Sequence, residues 1–146
     1  MDDLDKVIEG LKKLLDEVPY LIKQFTDREI NNKPSSNKWS KKEVLGHLYD
    51  SCMNNIQRLI RVQYEDKPFI IYKQDEWVEI QDYQSMNIGE IIDLWINLNQ
   101  HLIHILRKFP KNKLESLIDT GKEVTARFII VDYLDHQHHH LKQIFD

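Results

Sequence analysis

Trp39-Ser40-Lys41-Lys42-Glu43-Val44-Leu45-Gly46-His47-Leu48-Tyr49-Asp50-Ser51 is the stretch from which the architecture of this chain can be read. Ser40 stands three residues before Glu43, the spacing of a reciprocal capping box, and Trp39 is placed to staple onto Val44. A helix that opens there continues through Leu45, Leu48, Cys52, Ile56, Leu59 and Ile60 toward Tyr64, with apolar residues at helical intervals.

Similar signals recur on both sides. Upstream, a first helix starting after Asp2 or Asp3 carries Leu4, Val7, Ile8, Leu11, Leu14, Leu15 and Val18 before Pro19, with room to extend to Phe25. Downstream, Asn87 as N-cap, Glu90 at N3 and Met86 facing Ile91 open a third helix, which runs through Leu94, Trp95, Leu98, Leu102 and Leu106 to the Pro110 stop. A fourth follows Thr120 and Glu123, another T-x-x-E pattern, and carries Ile129, Ile130, Tyr133, Leu134, Leu141 and Ile144. Asn31 to Asn37 reads as a turn-rich connection. With only four glycines and no convincing strand pair, the pattern predicts an all-α four-helix bundle with residues 1–146 as one domain. The long stretch from Asp66 to Met86 can cross the length of a bundle. The second and third helices can therefore run parallel, in an up-down-down-up order.

Composition narrows the function. Lys and Arg number 20 against 24 Asp and Glu, a net charge of -4, so no broad cationic field favours nucleic acid. No apolar run approaches the roughly 20 residues of a membrane span, which predicts no membrane role beyond a peripheral one. Cys52 is the only cysteine, and the first residues, Met1-Asp2-Asp3-Leu4-Asp5, are acidic where a secretory signal would be basic; both predict a cytoplasmic protein. Among Leu45, Leu48, Ile56 and Leu59, Cys52 reads as a buried small hydrophobe and not a nucleophile. An uncovered apolar stripe on the first or third helix would allow a homodimer.

The chemistry-bearing signal is His136-Gln137-His138-His139-His140. His136 and His140 stand one turn apart, about 6 Å at Cβ, on the flank of the apolar face beside Ile129 and Tyr133. His139 falls on the more solvent-facing side, and His138 beyond the opposite edge of the apolar arc. Such a pair can chelate a metal or simply fill a polar edge, and a tight site needs a third ligand. His47, His101 and His104 are the candidates. His47 shares a polar stripe with Ser51, Asn54 and Arg58, which reads either as a solvated face or as the wall of a site. His101 and His104, three residues apart among apolar neighbours, read as packed or rim histidines.

Trp39 to Ser51, Asn54-Asn55-Ile56-Gln57-Arg58, Gln74-Asp75-Glu76-Trp77-Val78 and Asp132 to Ile144 together resemble the DinB-like superfamily of metal-binding helical bundles, which includes bundles assigned as metal-dependent hydrolases and bacillithiol transferases. The resemblance covers nearly the whole chain from Trp39 onward. It implies an up-down-down-up bundle and a metal site of His47, His136 and His140. A three-imidazole site with an open position lowers the pKa of a bound water or thiol. The reading is thus a metal-dependent hydrolase or thiol S-transferase with a divalent transition metal (Zn, Ni or Fe), a small-molecule substrate and a low-molecular-weight thiol as candidate cofactor. A non-enzymatic metal-binding stress-response or interaction bundle is the alternative. Asn54, Asn55 and Arg58 are candidate substrate contacts and Asp132 a candidate acceptor orienting His136, each with an ordinary surface role as the competing reading. Tyr72, Asp75, Glu76, Trp77 and Tyr83 lie on the long connection, which either covers the site or anchors the crossover. The adjacent carboxylates of Asp75 and Glu76 are a weak acid/base signal, because neighbouring side chains usually point apart.

Overall fold

A computed structural model describing residues 1–146 has four long helices: α1 (Asp3–Ile22), α3 (Lys41–Arg61), α5 (Ile88–Arg107) and α6 (Ala126–Phe145). Two shorter ones, α2 (Asp27–Asn31) and α4 (Gln74–Gln81), sit in the connections. α1 and α3 oppose each other, each flanked by α5 and α6. Two core clusters fix the directions. One gathers Leu14, Val18 and Ile22 from the end of α1, Val44 and Leu48 from the start of α3, Ile91 and Trp95 from the start of α5, and Leu141 and Ile144 from the end of α6. The other gathers the opposite ends of the same helices, including Val7, Leu59, Leu106 and Ile130. The order is therefore up-down-down-up, with α3 and α5 parallel.

Local chemistry explains the helix starts. Ser40 accepts from the Glu43 amide, and the Glu43 carboxylate accepts from the Ser40 amide at 3.0 Å, a complete capping box worth about 0.5–2 kcal/mol. Asn87 caps α5 through the Gly89 amide at 2.7 Å, so the box expected with Glu90 does not form. α1 tolerates Pro19 in its last turn and stops at Ile22, short of Phe25.

The predicted start of the fourth helix is corrected. Thr120 and Glu123 belong to a β-hairpin, β1 (Leu117–Asp119) with β2 (Glu123–Thr125), and Thr125 caps α6 through the Phe128 amide. Gly121 makes this turn with φ +107°, a conformation that suits glycine. The expectation of no strand pair is corrected by the same hairpin. Its outer edge receives the crossover: Ile70 donates to the Asp119 carbonyl and Asp119 to the Pro68 carbonyl, each at 2.9 Å.

The crossover is more ordered than its sequence suggested. It carries α4 and a single 3-10 turn at Tyr83–Ser85. Tyr83 is buried, its ring seated on Gly46, where a Cβ would come within 2.2 Å of it. Its hydroxyl donates to Asp50 at 2.5 Å, and Gln81 donates to the same oxygen at 2.9 Å. Gly46 and Asp50 thus dock the crossover across the face of α3 that carries His47.

Candidate metal centre

Three imidazoles meet where α3 and α6 face each other under the crossover. His47 Nε2 lies 3.3 Å from His136 Nε2, and the ring centroids of His47, His136 and His140 are 4.4–5.1 Å apart. Nitrogen atoms of the three lie within 4.8 Å of one another. His101 and His104 are exposed on α5, away from this cluster, and His138 and His139 are exposed on the outside of α6, His139 with its ring edge-on to His140 at 5.1 Å.

Each ring is oriented differently. His47 Nδ1 is 2.8 Å from the Tyr72 hydroxyl, and the two rings stack. His140 Nδ1 is 2.9 Å from Gln143 Oε1. With the protons on Nδ1, both donate to these oxygens, and Nε2 is left with a free lone pair, the arrangement that metal-binding histidines adopt. His136 Nδ1 is buried without a hydrogen-bond partner. That ring is held by packing and by whatever its Nε2 meets. Trp39 covers the cluster, its ring 4.8 Å from His47 and 6.5 Å from His140.

The electrostatics favour neutral rings. Burial first, then the neighbouring His140 and His136, push His47 down to about 3. Burial, then His140 and His139, push His136 down to about 4, and His140 is lowered chiefly by burial. All three are therefore unprotonated at neutral pH. With neutral rings, the two facing Nε2 atoms can share a proton in an N–H···N hydrogen bond or, with both protons on Nδ1, share a cation. Tetrahedral ligation at about 2.0–2.1 Å separates nitrogens by roughly 3.3 Å, the spacing of His47 and His136. The donor set fits a divalent metal.

The stripe beneath the crossover is not a solvated face. His47 is fully buried, and Ser51, Asn54 and Arg58 are buried with it. Asn54 donates to the Asp50 carbonyl and does not line the cleft. A cleft of about 320 Å³ opens beside His136, lined by Ser51, Asn55, Arg58, Tyr72 and Tyr133 among others. Asp132 sits at its exposed margin with no hydrogen bond to His136, so the expected orienting role falls instead to Tyr72 for His47 and to Gln143 for His140. Tyr72 was visible in the sequence only as a crossover aromatic; Gln143 stands one turn beyond His140, the one local clue to its part. Asp75 and Glu76 are exposed. Cys52 is fully buried, and burial pushes its thiol up to about 12, which removes it as a nucleophile. No helix is long and apolar enough to cross a membrane.

The sequence pattern of the DinB superfamily matches residues 10–144. A Bacillus subtilis (strain 168) protein named "Putative metal-dependent hydrolase YfiT" is 26% identical over 140 residues, 90% of this chain and 79% of that protein. A Halalkalibacterium halodurans protein, "Putative metal-dependent hydrolase BH0277", is 23% identical over 145 residues, 97% and 84% of the two chains. Among solved structures, YfiT from Bacillus subtilis, described as "a probable metal-dependent hydrolase with an unusual four-helix bundle topology", superposes with TM-score 0.88 at 23% identity, covering 97% of this chain and 83% of that one. A DinB-like protein from Bacillus subtilis gives TM-score 0.67 at 14% identity, covering 96% and 87%. Both structural likenesses are of fold.

Proposed function

The chain belongs to the DinB superfamily, and from that premise we propose that it is a metal-dependent enzyme in which His47, His136 and His140 hold a divalent transition metal. The observation that carries the reading is the convergence of three neutral imidazoles whose Nε2 atoms of His47 and His136 lie at metal-ligand spacing. When bound, such a metal (Zn, Ni or Fe by donor type) lowers the pKa of a water or thiol at its open position and polarises an electrophile. The chain's own residues do the rest. Tyr72 and Gln143 accept the Nδ1 protons of His47 and His140 and hold those rings in one tautomer. Trp39 shields the cluster on one side, and the cleft at Ser51, Asn55 and Tyr72 admits a small molecule on the other. Cys52 supplies no nucleophile, and the group that a metal would activate is exogenous: water for a hydrolase, or a low-molecular-weight thiol for an S-transferase.

The test is elemental analysis of protein purified without chelator or nickel resin, followed by assays of ester or amide hydrolysis and of electrophiles with cellular thiols. About one equivalent of metal, with turnover lost on chelation, is expected. Bound metal without turnover, together with a large fall in melting temperature on chelation, would make the ion structural and the bundle non-enzymatic. No metal even after reloading would overturn the assignment.

A further inference from the structure

The cleft beside His136 contains a charge that the bundle does not neutralise. Arg58 is only 8% exposed, and its Nε and Nη2 donate to the Ile70 carbonyl at 3.2 and 2.7 Å, while Nη1 donates to Asn55 Oδ1 at 3.0 Å. Every one of those acceptors is uncharged. The ion pairs of the molecule are all made by other residues. A buried guanidinium without a counter-ion is costly, and one N–H on each Nη remains available for an acceptor.

Its surroundings say what kind of acceptor. Arg58 lines the same cleft as Tyr72 and His136, and both of those side chains contact His47, so the cleft opens directly onto the histidine cluster. Asp132 is the only carboxylate on its walls, and it lies beside Lys122 at the rim. A planar fork of N–H donors matches a carboxylate or a phosphate in geometry and in sign. At about 320 Å³ the cleft suits a small metabolite.

We propose that the substrate carries a small oxyanionic group, a carboxylate or a phosphate, which Arg58 holds in this cleft while the reacting atom lies at the three histidines. This rests on the histidine cluster being the reactive centre. Arg58 thereby sets substrate class and register, and its bonds to Ile70 and Asn55 fix the guanidinium in advance of binding.

The experiment is a titration of wild-type protein, metal-free and metal-loaded, with acetate and separately with inorganic phosphate, following guanidinium resonances by nitrogen-15 NMR. The Arg58 signals are assigned by their loss in Arg58→Lys. A saturable shift of the Arg58 signals is expected in the metal-free protein, with at least tenfold weaker anion binding in Arg58→Gln. A response to acetate alone assigns a carboxylate, to phosphate alone a phosphate, and to both an oxyanion pocket without further selection. Silence toward both overturns the proposal and leaves Arg58 as a tether for the crossover; Arg58→Lys keeps the charge and is checked for an unchanged fold by circular dichroism, and if it does not fold, the Arg58 signals are assigned in the wild type from through-bond correlations to its side chain. Metal content is measured on the same samples. One equivalent of metal with a silent Arg58 removes only the oxyanion pocket, whereas absence of metal removes the histidine centre itself.

Discussion

His101 and His104 lie one turn apart on α5 with ring centroids 6.0 Å apart, and His136 and His140 lie one turn apart on α6 with centroids 4.4 Å apart. The first pair is exposed and has no third imidazole opposite it. The second faces His47 across a helix interface, is partly buried, and has Gln143 on its outer side and Trp39 above it. Spacing along a helix supplies a pair of ligands. What faces that pair, and how dry the space between is, makes it a site.

The hardest test of this contrast compares His47→Ala with a His101→Ala, His104→Ala double variant. Metal affinity should fall by more than about 100-fold in the first, beyond the range set by outer partners, and stay unchanged in the second, as measured by chelator competition. Equal losses would erase the distinction between the pairs.

Acid should separate the buried cluster from the rest of the surface. In the unfolded chain His47 and His136 titrate near 6.5, whereas in the fold they sit at about 3 and about 4. The unfolded state therefore binds more protons between those values. Stability from keeping these rings neutral is complete above pH 6.5 and is lost as pH falls toward 3 to 4. Urea unfolding of metal-free protein should show this decline, and His47→Ala should flatten it. Identical pH profiles for the two proteins would break the account.

Smaller changes probe the supports that only the α6 pair's site possesses. Tyr72→Phe removes the oxygen that accepts the His47 Nδ1 proton and should weaken metal binding about 10-fold to 100-fold while the bundle stays folded. Gly46→Ala drives a methyl into the Tyr83 ring, at 2.2 Å before relaxation, and should destabilise the protein by about 1–3 kcal/mol in a denaturant titration by lifting the crossover. Full stability in that variant would show that the crossover is not docked through this contact.

Much of the fold was legible because its signals are local. The Ser40 and Glu43 box, the Asn87 cap and the apolar stripes mark helices wherever the chain is placed, and the length of the Asp66–Met86 stretch pointed to parallel α3 and α5. Thr120 and Glu123 carry the same S/T-x-x-E pattern as Ser40 and Glu43, yet form a hairpin, because Gly121 turns the chain and residues 68–70 pair with its edge. That choice is tertiary. The polar stripe of His47, Ser51, Asn54 and Arg58 was ambiguous for the same reason: it is buried only because a segment distant in sequence lies over it. Asp132 stood at the right spacing from His136 but makes no hydrogen bond to it. Gln137, among the histidines, is fully buried and accepts from Trp95 Nε1 at 3.1 Å, a core role that its polar neighbours concealed.

His47 and His136 are 89 residues apart in the chain. At about 5–20 residues per second, a ribosome needs roughly 5–20 s to move from one to the other. Throughout that interval His47 is the only one of the three converging imidazoles yet made, and the α6 pair appears only after α1, α3 and α5. The full set of three would therefore exist only once all four long helices have been made. A metal held by that set would then be chosen by a folded cavity and not by an emerging peptide.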